Sequence, residues 1–160
     1  MEEKILTIIE NNGDLPLEQL AIMTDLSMEE VAAKIDALKE NGVILGQKTI
    51  INWDKTSKDV VTALIELKVT PQRGEGFDKI AEKIYKFQEV QSLYLVAGTY
   101  DLLVTIEHDT MQKVAHFVSS RLATMDCVVS TSTHFILKKY KYEGFIFEEE
   151  EKDTRQVITI

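Results

Sequence analysis

Acid–base, nucleophilic or metal chemistry in this sequence would have to come from three histidines, one cysteine and scattered carboxylates. His108, His116 and His134 stand 8 and 18 residues apart, without the i, i+4 pairing or the cysteine partners that a zinc site needs. His108-Asp109 is turn or capping chemistry more readily than an acid–base pair. Cys127 has no local nucleophile signature. Gly74-Glu75-Gly76 lacks the lysine and the strand-to-helix setting of a phosphate loop. No catalytic constellation, cofactor site or metal site emerges. The chain reads as a non-enzyme.

A second set of polar groups suits contact with a macromolecule. Glu29 can accept from a cytosine amine, and Lys34, Lys39, Gln47 and Lys48 can reach phosphate oxygens. The elements that hold them are legible. Apolar periodicity gives a helix over 2–12 (Ile5, Ile8 and Ile9 inward), ended by Asn11-Asn12-Gly13. Pro16 opens a short helix containing Leu17, Leu20 and Ala21. Thr24-Asp25-Leu26 makes the turn, with Leu26 plugging the core. Ser27-Met28-Glu29-Glu30 is a capping box, and Val31, Ile35 and Leu38 form the buried stripe of a third helix closed by Asn41-Gly42. Two short strand-like runs, Val43-Ile44-Leu45 and Thr49-Ile50-Ile51, flank Gly46-Gln47-Lys48 as a small wing. The order is a winged helix-turn-helix, which lays its third helix in the major groove of DNA. The face offered would comprise Ser27, Met28, Glu29, Ala32, Ala33, Lys34, Asp36 and Lys39, with Gln47 and Lys48 from the wing.

Charge argues the other way. The chain has net charge -9 and pI ≈ 4.9, so its bulk surface does not favour polyanions. Residues 1–58 carry 11 Asp+Glu against 6 Lys and no arginine; the first is Arg73. The strongest base contact, arginine to guanine, is unavailable to this unit. One copy should bind DNA weakly, while several copies on one oligomer gain by effective concentration.

Residues 54–59 are polar and aperiodic, and serve as a linker between a first unit at 1–53 and a second at 60–147. The second reads strand (Val60–Val69), helix (Phe77, Ile80, Ile84 and Phe87 inward), strand (Val90–Ala97), tight turn (Gly98–Asp101), strand (Leu102–His108), helix (Met111–Ala123) and strand (Val128–Lys138). That is βαββαβ, the ferredoxin-like arrangement, so the fold class is α+β. Its strands look too apolar to leave one sheet face wet, and sheet-to-sheet homodimerisation is the cover expected. Residues 148–160 are an acidic tail that ends in Arg155-Gln156-Val157-Ile158-Thr159-Ile160, an extra edge strand by composition. The lone cysteine, the acidic amphipathic start and the lack of any apolar run near the roughly 20 residues of a membrane helix point to the cytoplasm.

This combination resembles the leucine-responsive and asparagine-responsive (Lrp/AsnC) regulators. The resemblance runs from Ile5 to about Phe147. It is carried most specifically by Ala97-Gly98-Thr99-Tyr100-Asp101-Leu102, and also by Asn41-Gly42-Val43-Ile44 and Ser130-Thr131-Ser132-Thr133. It implies a transcription regulator that binds operator DNA, forms homodimers often assembled into octamers, and binds small effectors, usually amino acids, in ferredoxin-like (RAM-type) domains. The effector residues it implies are Gly98, Thr99, Tyr100 and Asp101, with Ser130, Thr131 and Thr133. Asp101 would pair with an α-ammonium, and backbone amides and threonine hydroxyls would hold a carboxylate. The chain departs from the pattern on the third helix, where members place arginine at positions matching Lys34, Asp36 and Ala37; only Lys34 keeps the charge. An oligomeric metabolite-binding or protein-interaction module with weak or lost DNA binding is the alternative.

Overall fold

The computed structural model describes residues 1–71, 74 and 76–147. The chain divides into two compact units, Met1–Ile50 and one beginning at Ile51. The first holds three helices: α1 (Glu2–Asn11), α2 (Leu17–Thr24) and α3 (Met28–Glu40). Their core is Ile5, Leu20, Ala21 and Val31, with Ile8, Ile9, Leu15, Leu26 and Ile35 packed around it. The α2–α3 turn is tight. Asp25 takes the left-handed conformation (φ 58°), which a short polar side chain tolerates, and the Leu26 amide returns to the Ala21 carbonyl at 3.1 Å.

The two expected wing strands do not pair. Past α3, Gly42 (φ +68°) turns the chain, and the amides of Val43 and Ile44 both donate to the Leu38 carbonyl, at 2.9 and 3.1 Å. Those donors close the helix C-terminus and are lost to any ladder. Gln47 is held instead by its side chain, whose Nε2 donates to the Gly13 carbonyl at 3.2 Å. The wing is a loop.

Asn52 caps a single 3-10 turn at Trp53–Lys55, and Lys58 lies over the Trp53 ring. The second unit then runs β1 (Val61–Val69), α4 (Phe77–Tyr85), β2 (Val90–Leu95), β3 (Leu102–His108), α5 (Met111–Phe117), β4 (Val128–Phe135) and a small hairpin of β5 (Lys141–Tyr142) with β6 (Phe145–Ile146). The main sheet has order β2-β3-β1-β4 and is antiparallel throughout. The helix past Phe117 widens into a π-turn at Val118–Leu122, marked by the Ala123 amide reaching Val118 O at 2.8 Å. Ser119 and Ser120 both donate their hydroxyls to the His116 carbonyl there, a contact that loosens the helical ladder.

The core lies between sheet and helices. Ala63, Ile65 and Leu67 of β1, Leu102, Val104 and Ile106 of β3, and Ile80, Ile84, Val114 and Leu122 from the helical side are buried. The opposite sheet face is more polar than the apolar runs suggested. The register places Glu66 and Lys68 of β1 there, beside Thr105 and Glu107 of β3 and Ser130, Ser132 and His134 of β4. His134 Nε2 lies 3.5 Å from Glu66 Oε1 and 3.2 Å from Ser132 Oγ. Charge is thus placed on the central strands: neither edge strand, β2 nor β4, carries Asp, Glu, Lys or Arg. The tail 148–160, with its expected edge strand, lies outside the described residues.

Candidate functional site

The N-terminal candidate face is built on α3. Ser27 is its N-cap: the Ser27 hydroxyl accepts from the Glu30 amide at 3.2 Å, and the Ser27 amide donates to Glu30 Oε2 at 2.9 Å. These bonds hold the Glu30 carboxyl below its ordinary value, the backbone bond from Ser27 foremost. Met28, Glu29, Ala33, Asp36 and Lys39 are exposed, whereas Ala32 and Lys34 are half-buried. Asp36 and Lys39 face each other at 3.7 Å. Beyond the helix, Lys48 is exposed and Gln47 is spent on Gly13. The surface therefore offers a thioether, small methyls and carboxylates more than cations. Ile22 and Met23 at the end of α2 add exposed apolar area (77% and 50% exposed) that periodicity did not single out.

The C-terminal candidate site is the turn between β2 and β3. Three consecutive β1 residues hold it. The Asp101 amide donates to Leu67 O at 3.0 Å, Lys68 Nζ donates to Thr99 O at 3.2 Å, and the Val69 amide donates to Asp101 Oδ2 at 2.9 Å. Asp101 thus spends one carboxylate oxygen on locking the turn, a structural duty beside the ammonium-binding role that the family resemblance implies. Gly98 and Thr99 are exposed, and Tyr100 and Asp101 half-buried. The amides of Gly98, Thr99 and Tyr100 donate to no acceptor among the described residues.

The β4 residues flank the same end of β1, on its other side. Ser130 pairs with Lys68, Thr131 with Leu67 and Thr133 with Ile65. The pleat splits them: Ser130 shares the outer face with Lys68, while Thr131 and Thr133 are half-buried on the helix face. The seven predicted effector residues therefore gather at one end of the sheet but do not line one cavity. A groove of about 320 Å³ lies elsewhere, between α4 and β2, lined by residues that include Phe77, Tyr85, Leu93 and Leu95. It contains none of the seven.

Lys68 was missed by sequence reasoning. A lysine near a strand end reads as solvated, and only the register shows it between the turn and Ser130. Elsewhere, Asp109 bonds Lys113 at 2.6 Å and also His108, and these bonds, Lys113 first, hold its carboxyl below the ordinary range. Among the described residues no group of three or more His, Cys, Asp or Glu side chains is placed to hold a metal ion, and no helix is long and apolar enough to cross a membrane.

The family model of the Lrp/AsnC ligand binding domain matches residues 62–145. The uncharacterized HTH-type transcriptional regulator YugG of Bacillus subtilis (strain 168) is 48% identical over 159 residues, 99% of this chain and 96% of that protein. The proline dehydrogenase transcriptional activator of Rhizobium radiobacter is 24% identical over 88% of this chain and 90% of its own length. Among solved structures, the Mycobacterium tuberculosis leucine response regulatory protein aligns with TM-score 0.73 at 19% identity, covering 92% of this chain and 97% of its own. The transcriptional regulator NMB0573 of Neisseria meningitidis, solved as an L-Met complex, aligns with TM-score 0.69 at 22% identity, over 88% and 90%. A ligand-binding match over more than half the chain, with a relative of nearly half identity along its whole length, places this protein in the Lrp/AsnC family of transcriptional regulators.

Proposed function

We propose that this regulator binds an operator in duplex DNA through α3 and its flanks (Ser27, Met28, Glu29, Ala32, Ala33, Lys34, Asp36 and Lys39, with Gln47 and Lys48), and that an amino acid or similar small metabolite controls it from the turn at Gly98–Asp101 with Ser130, Thr131 and Thr133. The observation that carries the reading is the pairing, in one chain, of a helix-turn-helix whose third helix has a complete capping box with a ligand-binding domain whose effector turn is pinned by three bonds to β1. A pinned turn presents its donors without an ordering cost, as a binding site requires. The amino-acid class is supported by the L-Met complex of the Neisseria neighbour. The working form is a cytoplasmic homodimer or a higher oligomer such as an octamer, without catalytic turnover. Effector binding to one arrangement of the oligomer shifts the spacing of the DNA-binding units by linkage.

Fluorescence anisotropy on the DNA upstream of the protein's own gene tests this, with each common amino acid added in turn. Sub-micromolar binding that one amino acid alters supports the regulator reading. The acidic, arginine-free α3 face favours one competitor, a metabolite-binding oligomer that has given up DNA. Oligomers that bind an amino acid yet leave DNA free at low salt would establish that competitor instead.

A further inference from the structure

We infer that Met28 is a specificity-determining residue of the DNA face, and that it selects thymine by contact with the 5-methyl group in the major groove. The inference rests on the reading of α3 as the helix that faces DNA, and it names the base that the start of that helix selects.

The recognition helix of a helix-turn-helix brings its N-terminal residues to the base edges. In α3 those residues run from Met28 to Ala33, and the reciprocal bonds between Ser27 and Glu30 fix where they begin. Met28 is the first residue of the helix and is 46% exposed. It does no work in the core of its unit, which is Ile5, Leu20, Ala21 and Val31 with Ile8, Ile9, Leu15, Leu26 and Ile35 around it. One turn further on, Ala32 is half-buried and Ala33 exposed. Side chains this small let the helix come close to the groove floor, where the long thioether can reach a base.

The choice of base follows from what this stretch lacks. From Met28 to Ala33 no side chain carries an N–H or O–H, since an ionised carboxylate only accepts. The hydroxyl of the cap, Ser27, donates to Glu30 Oε2 at 2.9 Å. Guanine shows the major groove two acceptors, N7 and O6, and meets no free side-chain donor here. The cations come later: Lys34 is half-buried, and Lys39 lies 3.7 Å from Asp36. Nor does this end of the helix suit the DNA backbone, because Glu29 and Glu30 in its first turn repel phosphate. A thioether and small methyls are left, and the apolar feature of a base edge is the thymine 5-methyl. Glu29 has no hydrogen bond or ion pair among the described residues, and its carboxylate can accept from the base amines that share the groove.

The test starts from duplex DNA selected out of a randomised pool by the full-length protein. Each thymine of that duplex is then replaced in turn by uracil, which removes only the 5-methyl group. Fluorescence anisotropy is expected to show wild-type affinity falling about two- to fivefold at one or more positions, the worth of one buried methyl. Met28→Ala should bind the thymine duplex more weakly and be indifferent to uracil at one of those positions, while keeping its response at any other. A Met28 with a merely structural role would lower both affinities and leave their ratio unchanged, and that result would overturn the assignment. So would a wild type indifferent to uracil at every position, a comparison that needs no variant and leaves the regulator reading standing. A pool from which no sequence is selected would overturn the regulator reading itself, and the inference with it.

Discussion

Asp101 carries a structural duty beside the ligand contact expected of it, since its Oδ2 accepts from the Val69 amide. Its position at a strand junction was legible from Gly98-Thr99-Tyr100-Asp101, because those residue types make turns. Its partner was not, since Val69 is 32 residues away and is reached only through the β1–β3 register. Asp101→Ala removes the acceptor and leaves the Val69 amide unmatched, so urea unfolding of the variant is expected to show a loss of about 1–3 kcal/mol. Asp101→Asn retains an acceptor oxygen and should recover most of that. Equal losses for the two variants would mean that charge, not the hydrogen bond, holds the turn. Lys68 was illegible for the same reason. Its chemistry depends on the neighbours that pairing supplies, not on those in sequence.

The third helix was the most legible element, and its cap makes a prediction about pH. Ser27 and Glu30 are three apart, a local signal that needs no tertiary knowledge, and the reciprocal bonds are present. Ser27→Ala should cost about 1 kcal/mol. Glu30 has a folded pKa below its ordinary 4.5. Its stabilising contribution is therefore complete above that ordinary value and is lost as pH falls through the lower folded value. Thermal melts followed by circular dichroism should show Glu30→Gln less stable than wild type at about pH 7, with the difference shrinking towards about pH 3. A difference independent of pH would show that the Glu30 charge contributes nothing. The wing was misread because Val43-Ile44-Leu45 has strand composition while its amides are needed at a helix end. Composition does not record that competition. The π-turn at Val118–Leu122 was likewise hidden, since apolar spacing alone reads 111–123 as one regular helix. Leu122, fully buried at the end of that turn, is a sensitive probe of the core: Leu122→Ala should cost about 2–5 kcal/mol by denaturant unfolding.

At the scale of the molecule, charge sets the conditions of action. A first unit with 11 acids against 6 lysines leaves few cations to displace counterions from DNA. Lys34→Gln and Lys48→Gln, measured by anisotropy across a salt series, should each lower the log–log salt slope by roughly one unit, the share of a single neutralised phosphate. Unchanged slopes would mean that other residues neutralise the phosphates. The sheet was anticipated in order but not in its faces. The runs Ala63-Leu64-Ile65 and Leu102-Leu103-Val104 suggested two dry sides, yet the register sends Glu66, Lys68, Glu107 and His134 to the outer one. Any partner covering that face must match ionic groups as well as exclude water.

The strand order β2-β3-β1-β4 also governs how the protein is made. The helices of the first unit close on near neighbours in the chain, and such local structure forms fast. In the second unit, β1 is the first strand to leave the ribosome and the last to be completed, because Ala63 waits for Phe135. For the length of that synthesis its edge towards β4 stays unpaired, although α4 and β3 are already made. A pause in translation between these strands would leave a folded head trailing an unfinished sheet. The yield of this regulator in a cell should thus depend on the pace of decoding across 70–127 as much as on the stability of the finished fold.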